Sequence, residues 1–127
     1  MHSIVSPDSI APPVANYALA VRTVAAEVLL HTAGIVGVRP DRTVPGTLAE
    51  QAEVVWTNLL AILAEAGMVP ADVVAVTTYV VVGEQLPVIM AARDRALDGH
   101  LAASTLITVP ALARPEWLVE ISLVAAR

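Results

Sequence analysis

Thr47-Leu48-Ala49-Glu50-Gln51-Ala52-Glu53-Val54-Val55-Trp56-Thr57-Asn58-Leu59-Leu60-Ala61-Ile62-Leu63-Ala64-Glu65-Ala66-Gly67, with Asp72-Val73-Val74-Ala75-Val76-Thr77-Thr78-Tyr79-Val80-Val81-Val82 close behind, spells a helix and then a strand. Thr47 is an N-cap and Glu50 stands three residues on, the pattern of a capping box. Leu48, Ala52, Val55, Leu59, Ile62, Leu63 and Ala66 recur at the i, i+3/i+4 spacing of one buried stripe. Gly67 is the expected stop just past the last turn. The Val-Pro turn at Val69-Pro70 then leads into a β-branched run that reads as one long strand.

Outward from this pair, a second helix is predicted from Pro87, a favoured first-turn residue, to about Asp98-Gly99. Leu101 to Val109 and Trp117 to Ala125 read as the last two strands, with Pro110 and Pro115 in the loop between. Upstream, Tyr17 to Val24 and Val28 to Ala33 are β-rich and predict a hairpin around Ala25-Ala26-Glu27. Gly34 to Gly46 reads as a loop, and residues 1–16, with Pro7, Pro12 and Pro13, as an irregular lead-in. The order is ββαβαββ, an α+β domain spanning 1–127 with two helices on one face of a sheet of five or six strands.

Val73-Val74-Ala75-Val76 and Val80-Val81-Val82 are apolar in both phases of the strand repeat, whereas a sheet with one wet face should alternate. The surplus face is expected to pack on another subunit, the alternative being that Val and Thr merely reflect strand propensity.

Composition narrows the chemistry. The chain has 127 residues, 57% hydrophobic, with no Cys and no Phe. Without Cys there is no thiolate nucleophile and no sulfur-built zinc site. All seven basic residues are Arg, so a lysine Schiff base is excluded. A net charge of −5 with no basic run argues against nucleic acid as partner. No apolar run reaches the ~20 residues of a membrane span, and no export signal is visible at the start, so a cytoplasmic protein is expected. The three His are isolated, and no metal or other cofactor is expected.

Glu120 is the carboxylate that falls inside an apolar strand, Leu118-Val119-Glu120-Ile121-Ser122-Leu123. Period-2 alternation puts it on one face with Leu118, Ser122 and Val124. A carboxylate there suits proton or water handling, or else it is a solvated residue on an edge strand. His31, before the Gly34 turn, reads either as an acid/base or as a structural histidine.

The chain resembles the Rid family, the YjgF-like reactive-intermediate deaminases of the L-PSP type, from about Tyr17 to Ala125. The segments that carry this are Asn16-Tyr17-Ala18-Leu19-Ala20-Val21, Leu30-His31-Thr32-Ala33-Gly34, the helix Thr47 to Gly67 with its Glu50-Gln51 and Asn58-Leu59, Thr77-Thr78-Tyr79-Val80, Ala102-Ala103-Ser104-Thr105-Leu106, and Leu112 to Ile121. The resemblance implies a chorismate-mutase-like α+β fold, a homotrimer, and small-molecule clefts between adjacent subunits. It also implies hydrolysis of enamines and imines such as 2-aminoacrylate, or a related tautomerisation. A catalytically silent trimer that binds a metabolite or a partner protein is the alternative.

By the same resemblance Glu120 positions the attacking water, with Tyr17 as the other catalytic residue. Gly34, Ile35, Ala103, Ser104 and Thr105 line the substrate pocket. Ala103 stands where the family has an Arg that clamps the substrate carboxylate, and Ala supplies neither charge nor orientation. Ile35 stands where the family has Gln, which makes that side more apolar.

Overall fold

A computed structural model describes all residues, 1–127. Its strands and helices are β1 (His2–Val5), β2 (Ala20–Thr23), β3 (Leu29–His31), β4 (Ile35–Val36), α1 (Leu48–Glu65), β5 (Val73–Val81), α2 (Leu86–Leu97), β6 (Ala103–Val109) and β7 (Val119–Ala126), with a 3-10 turn at Pro70–Asp72. Apart from β1 and β4, this is the expected order ββαβαββ.

The helix read from sequence forms as its caps dictate. The Thr47 hydroxyl accepts the Glu50 amide at the N-terminus. At the far end the Gly67 amide donates to the Ala64 carbonyl and the Met68 amide to Leu63. These two bonds make a Schellman motif, closed by Gly67 at φ +71. α1 buries Leu48, Ala52, Val55, Trp56, Leu59 and Leu63. These join Ile89, Ala92 and Leu97 of α2, and Val73, Val76, Val80, Val119, Ile121, Leu123 and Ala125 of the sheet, in one core cluster. Both helices therefore cover the same sheet face. Each fully buried Leu or Val contributes roughly 1.5–3 kcal/mol.

The main sheet runs β3-β7-β5-β6, with β4 also paired to β7. β5 and β6 are parallel, joined through α2, and β7 is antiparallel to β5, β3 and β4. β7 is thus central, and Glu120 lies in the middle of the sheet rather than on an edge. No helix is long and apolar enough to cross a membrane.

Three expectations are corrected. The lead-in is not wholly irregular, because β1 pairs with β2 and His2 lies opposite Thr23. The His2 ring donates from Nε2 to the Ala126 carbonyl and accepts at Nδ1 from the Thr23 hydroxyl, both at 2.9 Å. This ties the two-stranded ribbon to the end of β7. Next, β2 and β3 form no hairpin. The chain turns away at Ala25 (φ 54), and the Glu27 and Val28 amides both donate to the Arg127 carbonyl, so the end of β7 captures β3. Finally, the expected loop from Gly34 begins with strand β4, which continues the pairing of β3 along β7 after a bulge.

The bulge follows from the register. His31 faces Val124 and Ile35 faces Ile121, so Thr32, Ala33 and Gly34 oppose only Leu123 and Ser122. The Thr32 hydroxyl accepts the Leu123 amide at 3.0 Å. An extra residue of this kind re-aims the strand and disrupts the ladder locally.

The sheet face away from the helices is mixed rather than uniformly apolar. It presents Ala75, Thr77, Tyr79 and Val81 of β5, Glu120, Ser122 and Val124 of β7, and Ala103, Thr105, Ile107 and Val109 of β6. Ile107 is 42% exposed in the single chain.

Candidate functional site

The expected site residues fall into two groups on one chain. The first is Glu120 with Gly34. Glu120 is paired across the sheet with Tyr79 on one side and Val36 on the other, on the open face. It is partly exposed, and its carboxylate makes no hydrogen bond or ion pair within the chain. The β3–β4 bulge brings Gly34 against it so closely that a Cβ on Gly34 would lie 2.7 Å from Glu120 Cδ. The carboxylate therefore occupies the space that any other residue at 34 would fill.

The second group lies at the free edge of β6. The Ala18 amide donates to the Ala102 carbonyl at 3.0 Å, and Ala18 bridges Ala103 in parallel fashion. Tyr17 thereby falls opposite Ala102, on the same side of β6 as Ser104. Ala103 and Thr105 face the open side, whereas Ser104 pairs with buried Val76 and faces the helices. Tyr17 and Ser104 line a cavity of about 250 Å³ with Leu86, Met90, Arg93 and Leu106.

Arg93 is the charged residue of that cavity, with its side chain 8% exposed. Nε and Nη2 both donate to Asp94 Oδ1, at 3.1 and 2.9 Å, while Nη1 reaches Ser104 Oγ at 3.3 Å. The second Asp94 oxygen accepts from Asn16 at 3.0 Å.

Ile35 belongs to neither group. It pairs with Ile121, which is fully buried, and packs on the core, so the side chain beside Glu120 from β4 is Val36. His31 lies on the open face opposite Val124, four residues along β7 from Glu120. That is ~13 Å away at about 3.3 Å per residue.

The two groups do not meet within one chain. The Glu120 row continues through Tyr79 to Ile107. Ala103 is two strands across and four residues along from Glu120. Spacings of about 4.8 Å between strands and 3.3 Å per residue put their Cα atoms ~16 Å apart.

Sequence reasoning missed Tyr79 and Val36 as neighbours of Glu120, whereas Arg93 is one of three arginines, with Arg22 and Arg114, whose reach into a cleft would favour catalysis. Alternation shows a residue's face but not which strand pairs beside it. No group of three or more His, Asp or Glu gathers to hold a metal ion.

A family model described as Endoribonuclease L-PSP matches residues 8–127. No curated protein matches. Among solved structures, YyfB of Yersinia pestis, a protein of unknown function in the conserved Rid family, is 32% identical. The match covers 99% of this chain and 98% of that one, with a TM-score of 0.89. A Thermotoga maritima protein described as a candidate endoribonuclease is 26% identical over 100% of this chain and 98% of its own, with a TM-score of 0.73. TdcF of E. coli, solved with bound serine, shares the fold at 19% identity, 98% coverage of both chains and a TM-score of 0.73.

Proposed function

The chain belongs to the Endoribonuclease L-PSP family, the Rid family of its Yersinia relative, and from that footing we propose that it hydrolyses small imine or enamine intermediates at clefts between the subunits of a homotrimer. Glu120 handles the water. The observation that carries this reading is the unpaired Glu120 carboxylate, held on the open sheet face against Gly34 with Tyr79 beside it.

Glu120 accepts a proton from water as the oxygen adds to the C=N carbon. The proton passes to nitrogen to give a carbinolamine; Glu120 then takes the hydroxyl proton and delivers it to nitrogen as the C–N bond breaks and the C=O bond forms, and a carbonyl compound and ammonia leave. An enamine first takes a proton at carbon to become the imine. A positioned carboxylate supplies general base catalysis worth typically 10²–10⁴-fold.

The ~16 Å between Glu120 and Ala103 in one chain favours a site drawn from two subunits, with Tyr17 and the β6 edge coming from the neighbour. The family's description names RNA cleavage, but a net charge of −5 favours a small molecule over a polyanion. TdcF, which shares the fold, holds serine, a ligand of the size proposed here.

The test is a panel of imines and enamines, with and without a carboxylate, followed by ammonia release. Wild-type protein is expected to turn over at least one member. Glu120→Gln, which keeps the shape but cannot accept a proton at neutral pH, should lower that rate by ~100-fold or more. Because Ala103 offers no cation on the open face, 2-aminoacrylate should be hydrolysed ~30- to 1,000-fold more slowly than by relatives with Arg there. No turnover across the panel, together with tight binding of a panel member, would move the reading to a silent metabolite-binding trimer. Full activity of Glu120→Gln would overturn the mechanism.

A further inference from the structure

The loop before α1 and the loop before β7 enclose a cavity of about 310 Å³ on which two cations converge. Arg42 comes from the first loop and Arg114 from the second. Val38, Val44 and Trp117 supply apolar walls, and Glu116 is the lining acid. The chain's two ion pairs join Arg93 to Asp94 and Arg95 to Glu53, so both cavity guanidiniums are unpaired. The two loops are pinned to one buried side chain. Gln51 Nε2 donates to the Pro45 carbonyl of the first and the Glu116 carbonyl of the second, both at 2.8 Å.

Each cation has its own support. Arg114 Cζ lies 5.6 Å from the centre of the Trp117 ring, a cation–π contact that leaves the in-plane N–H donors free. Arg42 sits at φ +72, a left-handed conformation that glycine takes without strain and other residues resist. A tight turn enforces it. The Arg42 amide donates to the Arg39 carbonyl and the Arg39 amide to the Thr43 carbonyl. Asp41 Oδ1 accepts the Thr43 amide and hydroxyl, at 3.0 and 2.6 Å, so this acid is committed to the turn instead of to Arg42. Glycine would fit that backbone better, and what arginine adds at 42 is a guanidinium on the cavity wall.

The charges select a ligand class. Two guanidinium forks match the dianionic head of a phosphate monoester. Glu116 repels a second acidic group and accepts from hydroxyls, which favours a polyol body over another acid. We propose that Arg42 and Arg114 bind the phosphate of a small hydroxylated phosphate monoester, of the sugar phosphate kind, whose carbon body lies on Val38, Val44 and Trp117 with a hydroxyl donating to Glu116. A cavity of about 310 Å³ holds a molecule of that size. Glu120 is no part of its wall, so this site stands apart from imine turnover.

The experiment is calorimetric binding of glucose 6-phosphate to the full chain, beside glucose, inorganic phosphate and hexyl phosphate. Glucose 6-phosphate should bind with a Kd below about 1 mM, at least about tenfold more tightly than glucose or inorganic phosphate. Hexyl phosphate, which has no hydroxyl for Glu116, should bind more weakly than the sugar phosphate. Arg42→Gly should weaken glucose 6-phosphate at least about tenfold while Tm stays within about 2 °C of wild type, which separates a lost contact from a lost fold. Arg114→Gln should weaken it similarly, and Glu120→Gln should bind it like wild type.

Equal affinity for glucose 6-phosphate and glucose, unchanged affinity in Arg42→Gly, tighter binding of hexyl phosphate, or no binding at millimolar sugar phosphate would overturn the proposal. Loss of binding in Glu120→Gln would overturn it too, by moving the ligand to the Glu120 site.

Discussion

A methyl group added at Gly34 has one obstacle, the carboxyl end of Glu120. That end is the tip of a flexible side chain, and Gly34 has no positive φ, so alanine is tolerated by the backbone. Gly34→Ala should therefore fold with stability within about 1 kcal/mol of wild type while the carboxylate is pushed off its position. Thermal melts beside imine turnover check this: turnover should fall severalfold or more with little change in Tm. An unaltered rate would mean that the placement of Glu120 is immaterial. Glu120 was legible in the sequence because a carboxylate inside an apolar strand is rare enough to notice. Its neighbours were not, since register decides them. Tyr79 faces it only because β7 pairs with β5 in one alignment, and a shift of one residue at β4 sends Ile35 to the core and Val36 to the open face.

The entrance of α1 is fastened by Gln51, which is 1% exposed. Its amide nitrogen donates to the Pro45 and Glu116 carbonyls, both at 2.8 Å, and its oxygen accepts the Leu118 amide at 2.9 Å. This holds the loop before α1 against the chain entering β7, two residues ahead of Glu120. Gln51→Leu preserves volume but strands three backbone groups, so denaturant unfolding should show a loss of about 2–4 kcal/mol. A loss under about 0.5 kcal/mol would show that water replaces the amide. The helices were readable because their signals are local: Thr47, Gly67 and a 3.6-residue repeat. The supposed hairpin failed because β3 is claimed by the end of β7, roughly a hundred residues on in the chain. No local cue announces such a pairing. β1 and β4 were missed for the same reason, being short strands that exist only through their partners.

One chain leaves the open face of its sheet half-exposed, with Tyr79, Val81, Ile107 and Val124 among Thr77, Thr105 and Ser122. The sequence foretold a surplus face from the long β5 run but overstated how apolar it is. In the proposed trimer, which would cover this face, Glu120 and the Tyr17 edge need not meet within a chain. Sedimentation at micromolar concentration should give about 40 kDa, three times the 13.2 kDa of one chain. The most direct test is subunit mixing. Glu120→Gln and Tyr17→Ala, each inactive on a panel substrate, are unfolded, combined one to one and refolded together. If each site takes Glu120 from one subunit and Tyr17 from the next, random assembly restores about one quarter of the sites, and about one quarter of wild-type turnover returns. Turnover that stays at the level of the separate variants, in trimers shown to be mixed, would contradict a site shared between subunits.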